Sequence, residues 1–293
     1  QITFVISLGR IGIDYRDKAL KKKEIPKIVH YCWFGGNPLG DKEKKCIESW
    51  KKYLPQYEIR RWDENNYDVY MCKYTKEAYQ AKKWAFVSDY ARFKVLYDYG
   101  GIYLDTDVEL LQPIDDLIIK GSIMACEEDG AKDGSMGDGN ILVNPGLILA
   151  AYRHHPFYKQ ILEEYSRRSF IRENGSYDFT TVVTITTSLL KRQGLENIQG
   201  IQYVSDIYIY PKEYFNPKDF RTEELFVTEN TRAIHHFSMS WLSQSHKVQK
   251  SIYKHLIAHR VPTKTAWRIA IILSIIGTLD IERLLNAVKS KFE

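Results

Sequence analysis

Cysteine is scarce: Cys32, Cys46, Cys72 and Cys126 are the only four in 293 residues, and none form a CxxC pair. That speaks against a disulfide framework or a zinc site and fits reduced core thiols in a cytoplasmic protein. Long apolar runs are missing as well. The longest, residues 269–276, is broken by Ser274 and falls short of the about 20 residues that a bilayer span needs, although it could lie on a membrane. The opening Gln-Ile-Thr-Phe-Val-Ile-Ser-Leu has no basic n-region and is too short for a signal peptide. No initiator Met precedes it, so the native N-terminus is left unassigned. Acid is absent locally: from Asn230 to Leu279 there is no Asp or Glu, while Arg232, Lys247, Lys250, Lys254, Arg260, Lys264 and Arg268 all fall there. A segment charged with one sign favours an anionic surface. The overall balance, 42 Lys+Arg against 37 Asp+Glu, is too even to argue for nucleic acid. No internal repeat is evident.

What is present is a substantial core. Hydrophobic residues make up 44% and aromatic residues 13% of the chain, which rules out global disorder. Lys27-Ile28-Val29-His30-Tyr31-Cys32-Trp33 reads as a buried strand stopped by Gly35-Gly36. Cys46, Ile47, Trp50, Tyr53 and Leu54 recur at helical spacing before Pro55. A second strand is predicted over 58–62, with Asp63 where a helix N-cap belongs. This β-α-β-α rhythm implies an α/β fold with a parallel sheet. One long helix is predicted over 76–99, with Phe86, Tyr90, Phe93 and Tyr97 as its apolar stripe and Gly100-Gly101 as its C-cap. A polar loop is expected over 129–139, then a strand or strand–helix element over 140–150. Helices follow over 156–168 and 180–192, and strands and loops over 203–214 and 232–241.

The chemistry gathers in a few places. Gly100-Gly101-Ile102-Tyr103-Leu104-Asp105-Thr106-Asp107 is a glycine stop, a short apolar strand and two aspartates at i, i+2. In an extended chain both carboxylates share a face, and a pair of hard oxygen ligands at a strand end suits a divalent metal that grips phosphate. Asp89 and Arg92 sit one helical turn apart, suited to holding sugar hydroxyls and a phosphate or forming a plain surface ion pair. Trp33, at the end of the first strand, could stack on a base or pack in the core. His235-His236 precede Trp241, so one imidazole could reach a metal while the other packs inward.

Four ordered segments carry a resemblance. Ile-Pro-Lys-Ile-Val-His-Tyr-Cys-Trp-Phe-Gly-Gly (25–36), Phe-Val-Ser-Asp-Tyr-Ala-Arg (86–92), the DxD segment (100–107) and Ile-His-His-Phe-Ser-Met-Ser-Trp (234–241) resemble glycosyltransferase family 32. That family includes yeast initiating mannosyltransferases and bacterial capsule or lipopolysaccharide sugar transferases; the clostridial glucosylating toxins are more distant relatives. The resemblance covers residues 25–242. It implies a GT-A, Rossmann-like domain over 25–243, flanked by an extension (1–24) and a basic helical appendage (244–293). It implies retaining transfer of a hexose from a nucleotide sugar, UDP-hexose favoured over GDP-mannose, to a glycan or lipid-linked glycan acceptor in cell-surface polysaccharide synthesis.

By position, Trp33 would meet the base and Asn65 the nucleoside. Asp89, Arg92 and Tyr103 would hold the donor sugar and its surroundings, Asp105 the ribose, and Asn144 the donor. Trp241 would cap the diphosphate. Asp107 and His236, with Asp105 a further candidate, would hold Mn²⁺ or Mg²⁺. The sequence departs from the family at Asp178-Phe179-Thr180-Thr181, where several relatives carry Gly-Pro, which leaves the acceptor side open. The expected place of work is cytoplasmic, with two readings of the basic tail left open: contact with anionic lipid on the inner membrane face, or a packed C-terminal helical bundle with a solvated basic face. Two alternatives stand beside this reading: a haloacid-dehalogenase-like phosphatase with Asp105 as nucleophile, and a non-catalytic sugar-binding protein of the same fold.

Overall fold

The computed structural model describes residues 23–131, 140–219, 224–237 and 244–278. Most of the expected 1–24 extension and most of the 129–139 loop lie outside these residues. β1 (Ile28–Cys32) leads through α1 (Asp41–Tyr53) to β2 (Glu58–Trp62), which pairs parallel to it from Ile28↔Glu58 to Cys32↔Trp62. α1 buries Cys46, Ile47 and Trp50, and its acids Asp41 and Glu43 and bases Lys51 and Lys52 sit at the ends its dipole favours. Asp63 caps a turn and not a helix. Its Oδ1 accepts the Asn65 backbone N–H at 2.9 Å, and the next helix starts only at α2 (Lys73–Gln80).

The single helix expected over 76–99 is two. α2 ends at Gln80, and α3 (Trp84–Tyr99) restarts after Lys82, whose φ is +57°. α3 ends as expected: Gly100, at φ +66°, donates its N–H to Leu96 O at 2.8 Å. β3 (Gly101–Tyr103) then runs parallel to β1, Val29 opposite Ile102. A Cβ on Gly101 would lie 2.6 Å from Ile28 O, so this close strand approach requires glycine.

The chain continues through β4 (Val108–Leu110), α4 (Asp115–Ile118), β5 (Ser122–Glu128), β6 (Leu142–Val143), β7 (Leu149–Ala151), α5 (Pro156–Ser166) and α6 (Val182–Arg192). It goes on with β8 (Gln202–Val204), β9 (Ile207–Tyr210), α7 (Lys212–Phe215), β10 (Ala233–His235), α8 (Gln244–Ala258) and α9 (Thr263–Thr278). The main sheet is ordered β2-β1-β3-β7-β5-β9-β8, with β6 on β5. It is mixed and not all parallel: β7 runs antiparallel to both β3 and β5, and β8 antiparallel to β9. A separate ribbon joins β4 and β10.

Alternation along the strands divides the core in two. Cys32, Tyr103, Met124 and Leu149 face a cluster that includes residues of α3, α5 and α6. Tyr31, Ile102, Ile123 and Ala150 face a second cluster with α1 and α4. His30, fully buried, ties the first strands together: Nδ1 accepts from Trp62 Nε1 at 3.0 Å and Nε2 donates to Gly100 O at 2.9 Å. The four cysteines are free thiols, and burial pushes Cys32 and Cys46 up to about 12. α8 and α9 pack on each other around Tyr253, Ala266 and Ala270. No helix among the described residues is long and apolar enough to cross a membrane.

Candidate active site

β1, β3, β5 and β9 all point their carboxyl ends to one edge of the sheet, where α/β folds bind ligands. A cavity of about 850 Å³ opens there. Trp33 stands at the end of β1, half-buried, its Nε1 donating to Asn37 O at 2.6 Å, and its ring lines the cavity.

Asp105 and Asp107 lie in a turn between β3 and β4, closed by Val108 N–H donating to Asp105 O at 3.0 Å. The extended arrangement expected from i, i+2 spacing is absent, but the turn still brings the carboxylates together. Three further contacts hold Asp105. Tyr103 Oη donates to its Oδ1 at 2.8 Å, Arg92 Nη1 approaches its Oδ2 at 3.4 Å, and its N–H donates to Gly146 O at 3.0 Å.

Arg92 links this turn to α3. Its Nη2 donates to Asp89 Oδ1 at 2.9 Å and its guanidinium lies 5.0 Å from the Tyr103 ring centroid. Asp89 also accepts the backbone N–H of Val182, at the start of α6. Both partners are buried, so this is no surface ion pair. Burial pushes the Asp89 carboxyl up to about 7, and Asp105 adds to the rise while Arg92 opposes it.

The histidine that joins the aspartates is His235. Its Nε2 lies 3.2 Å from Asp107 Oδ1, and single ligand atoms of Asp105, Asp107 and His235 all fall within 4.8 Å of one another. His236, the position expected from the resemblance, turns the other way and pairs with Glu109 Oε2 at 2.7 Å. The cause is strand alternation: β10 pairs with β4 in a register that sets His235 opposite Val108, so consecutive imidazoles leave on opposite sides. Burial lowers the His235 pKa, but the charge and hydrogen bond of Asp107 outweigh it, and the net shift is upward. Two carboxylates and an imidazole suit a divalent ion, and the buried His235 Nδ1 has no hydrogen-bond partner among the described residues.

Asn144 lines the cavity, its Oδ1 accepting from Gly146 N–H at 2.7 Å and its Nδ2 donating to Glu127 Oε2 at 2.8 Å. Asn65 sits on the turn after β2, with its Nδ2 on Asp63 Oδ1 at 3.0 Å, outside the described wall of the cavity. Trp241 lies outside the described residues. Three contributors escape sequence reasoning. Glu127, near the end of β5, is a half-buried carboxyl whose pKa desolvation raises. Gly146 leaves room for Asp105, because a Cβ there would lie 2.1 Å from Asp105 Oδ2. α8 supplies His246, Gln249 and Lys250 to the wall, so the expected appendage completes the cavity. The Asn-Pro-Gly spacing was the one local signal for Gly146; Glu127 and α8 had none.

Residues 40–123 match the family described as glycosyltransferase sugar-binding region containing DXD motif. Two curated proteins of Schizosaccharomyces pombe are similar. Inositol phosphoceramide mannosyltransferase 3 is 26% identical over 56% of this chain and 43% of its own. Inositol phosphoceramide mannosyltransferase 1 is 25% identical over 41% and 40%. The chain thus spans less than half the length of either. Among solved structures, the PaToxG glycosyltransferase is 18% identical, with a TM-score of 0.40 over 57% of this chain and 69% of its own. Residues 40–123 thus resemble a glycosyltransferase sugar-binding region, and the DxD turn within them stands at the carboxyl edge of a mixed α/β sheet.

Proposed function

We propose that this chain transfers a hexose from a nucleotide sugar to a glycan or lipid-linked acceptor, with a divalent metal at Asp105, Asp107 and His235. The observation that carries the reading is the meeting of those three ligands beside the buried Asp89–Arg92 pair, inside one cavity. When bound, such a metal supplies positive charge to the departing diphosphate. The chain's own residues do the positioning. Arg92 fixes Asp105 and sits where it counters phosphate charge. Asp89 accepts sugar hydroxyls, Asn144 contacts the donor, and Trp33 offers a ring to the base.

Transfer proceeds with retention. The bond from the anomeric carbon to the bridging phosphate oxygen breaks and that oxygen leaves with the nucleoside diphosphate, the acceptor oxygen bonds to the carbon on the same face, and the acceptor proton passes to the leaving phosphate. UDP-hexoses are the first donors to test, for the role in cell-surface polysaccharide synthesis that the resemblance implies. The names of the curated relatives add mannose and an inositol-bearing lipid acceptor to the panel. The test is nucleoside diphosphate release from UDP- and GDP-sugars with Mn²⁺, with EDTA and in Asp107→Ala. Release from one donor, lost in the latter two, supports the reading; no release and no donor binding by calorimetry overturns it.

The same proposal includes peripheral contact with anionic membrane. α9 leaves Trp267, Ile272, Leu273 and Ile276 exposed, within the segment that has no acidic residue. Flotation with acidic liposomes that Ile272→Glu does not weaken would remove this part.

A further inference from the structure

A second cavity, of about 420 Å³, lies on the same edge of the sheet. The first spans the ends of β1, β3 and β5; the second spans the ends of β5 and β9. Glu127 lines both. The wall of the second cavity has an excess of carboxylate: Glu127, Glu128, Asp129, Glu213 and Asp219 against Lys212 and Lys218. Lys212 is engaged already, its Nζ 3.1 Å from Glu128 Oε2 and its N–H donating to Asp129 Oδ1 at 2.8 Å.

Asn216 stands in this wall at 5% exposure. Its Nδ2 donates to Glu127 O at 3.1 Å, and its Oδ1 has no hydrogen-bond partner among the described residues. An amide oxygen buried without a donor costs about 1–3 kcal/mol, a penalty that a ligand hydroxyl donating to it would relieve. Phe226, 62% exposed, lines the same cavity with an open ring.

A ligand for this wall offers hydrogen-bond donors, an apolar face for an aromatic ring, and no negative charge. A sugar ring has hydroxyls around its rim and C–H groups on its face. A uronate or sugar phosphate would meet the carboxylate excess. A bare metal ion fits poorly, because the one three-ligand cluster among the described residues is Asp105, Asp107 and His235. Position agrees with chemistry: a group held here reaches the donor cavity past Glu127.

We propose that the second cavity is the acceptor subsite and takes a neutral or amine-bearing sugar, with Glu127 as the positioning residue between acceptor and donor. This rests on the transferase reading above, and the test separates the two. Saturation-transfer NMR on the full chain would use methyl glycosides of mannose, glucose, galactose and glucosamine, with methyl glucuronide as the anionic probe. The expected result is binding of at least one neutral or amino glycoside, none of the glucuronide, and about tenfold weaker binding in Phe226→Ala, the effect of about 1.4 kcal/mol. The unfolding midpoint of Phe226→Ala checks that the exposed ring is not needed for folding. Preference for the glucuronide, binding indifferent to Phe226→Ala, or no glycoside binding overturns the assignment. If metal-dependent donor release persists while glycoside binding fails, only this inference falls. If glycosides bind but no donor is turned over, the transferase reading falls.

Discussion

Gly146→Ala perturbs the site by one methyl group. The Gly146 carbonyl accepts the Asp105 N–H at 3.0 Å and its N–H donates to Asn144 Oδ1 at 2.7 Å, so its backbone is fixed from both sides. An added Cβ would lie 2.1 Å from Asp105 Oδ2 and 3.0 Å from Asn144 Oδ1. Cβ contacts essentially never fall below 3.0 Å, so the carboxylate must retreat by about 1 Å, and a shift of that size at a reacting centre costs about 100-fold in rate. The retreat also loosens the Tyr103 and Arg92 contacts that aim Asp105. Gly146 is not among the positive-φ residues, so alanine suits its backbone and the fold should hold. The assay is metal-dependent diphosphate release, with Mn²⁺ titrated by EPR and the unfolding midpoint measured in parallel. The expected outcome is activity down about 100-fold at a nearly unchanged midpoint. A variant within about threefold of wild type, a difference under about 1 kcal/mol, would refute the view that Asp105 works from the position seen.

The two histidines separate cleanly by substitution. His235→Ala should weaken Mn²⁺ binding by about tenfold or more, whereas His236→Ala removes only a partly exposed pair with Glu109 and should leave it unchanged; the reverse pattern in the EPR titration would restore His236 as ligand. Arg92→Met strands the buried Asp89 carboxylate, which should cost about 3–5 kcal/mol and lower the unfolding midpoint on the order of 10 °C; a loss under about 1 kcal/mol would mean the pair is not buried as seen. Burial holds His30 at about 4, below its ordinary 6.5, so between those values the unfolded chain binds more protons and stability falls as pH drops. The slope from one such group reaches about 1.4 kcal/mol per pH unit. His30→Gln should make the wild-type slope shallower by up to that amount in denaturant titrations, and an unchanged slope would remove His30 as its source. His155, lowered to about 4 by burial, should account for part of what remains.

The parts of the site legible in the sequence are those set by local rules. β1 is legible because β-branched and aromatic residues run together up to a glycine pair, and the end of α3 because Gly100 takes the positive φ that L-residues avoid. The DxD turn follows α3 and β3 directly, so the meeting of its two carboxylates could be read in place. The break between α2 and α3 was not legible: it falls at Lys82-Lys83, with neither glycine nor proline to announce it. Its cause is tertiary, since Trp84 must sit against Gly35, where even a Cβ would come within 2.6 Å of its Nε1.

The remaining contributors depend on pairings between segments far apart in sequence. Whether His235 or His236 faces the aspartates depends on the phase of β10 against β4, and a slip of one residue would exchange them. Glu127 matters because β7 enters between β3 and β5 in the reverse direction, which leaves the ends of β3 and β5 on one edge with Asn144 and Gly146 between them. The order of strands, and not any motif around Glu127, makes it the wall between two cavities. The local motif thus identifies where the paired carboxylates sit, while the sheet order decides which residues stand next to them.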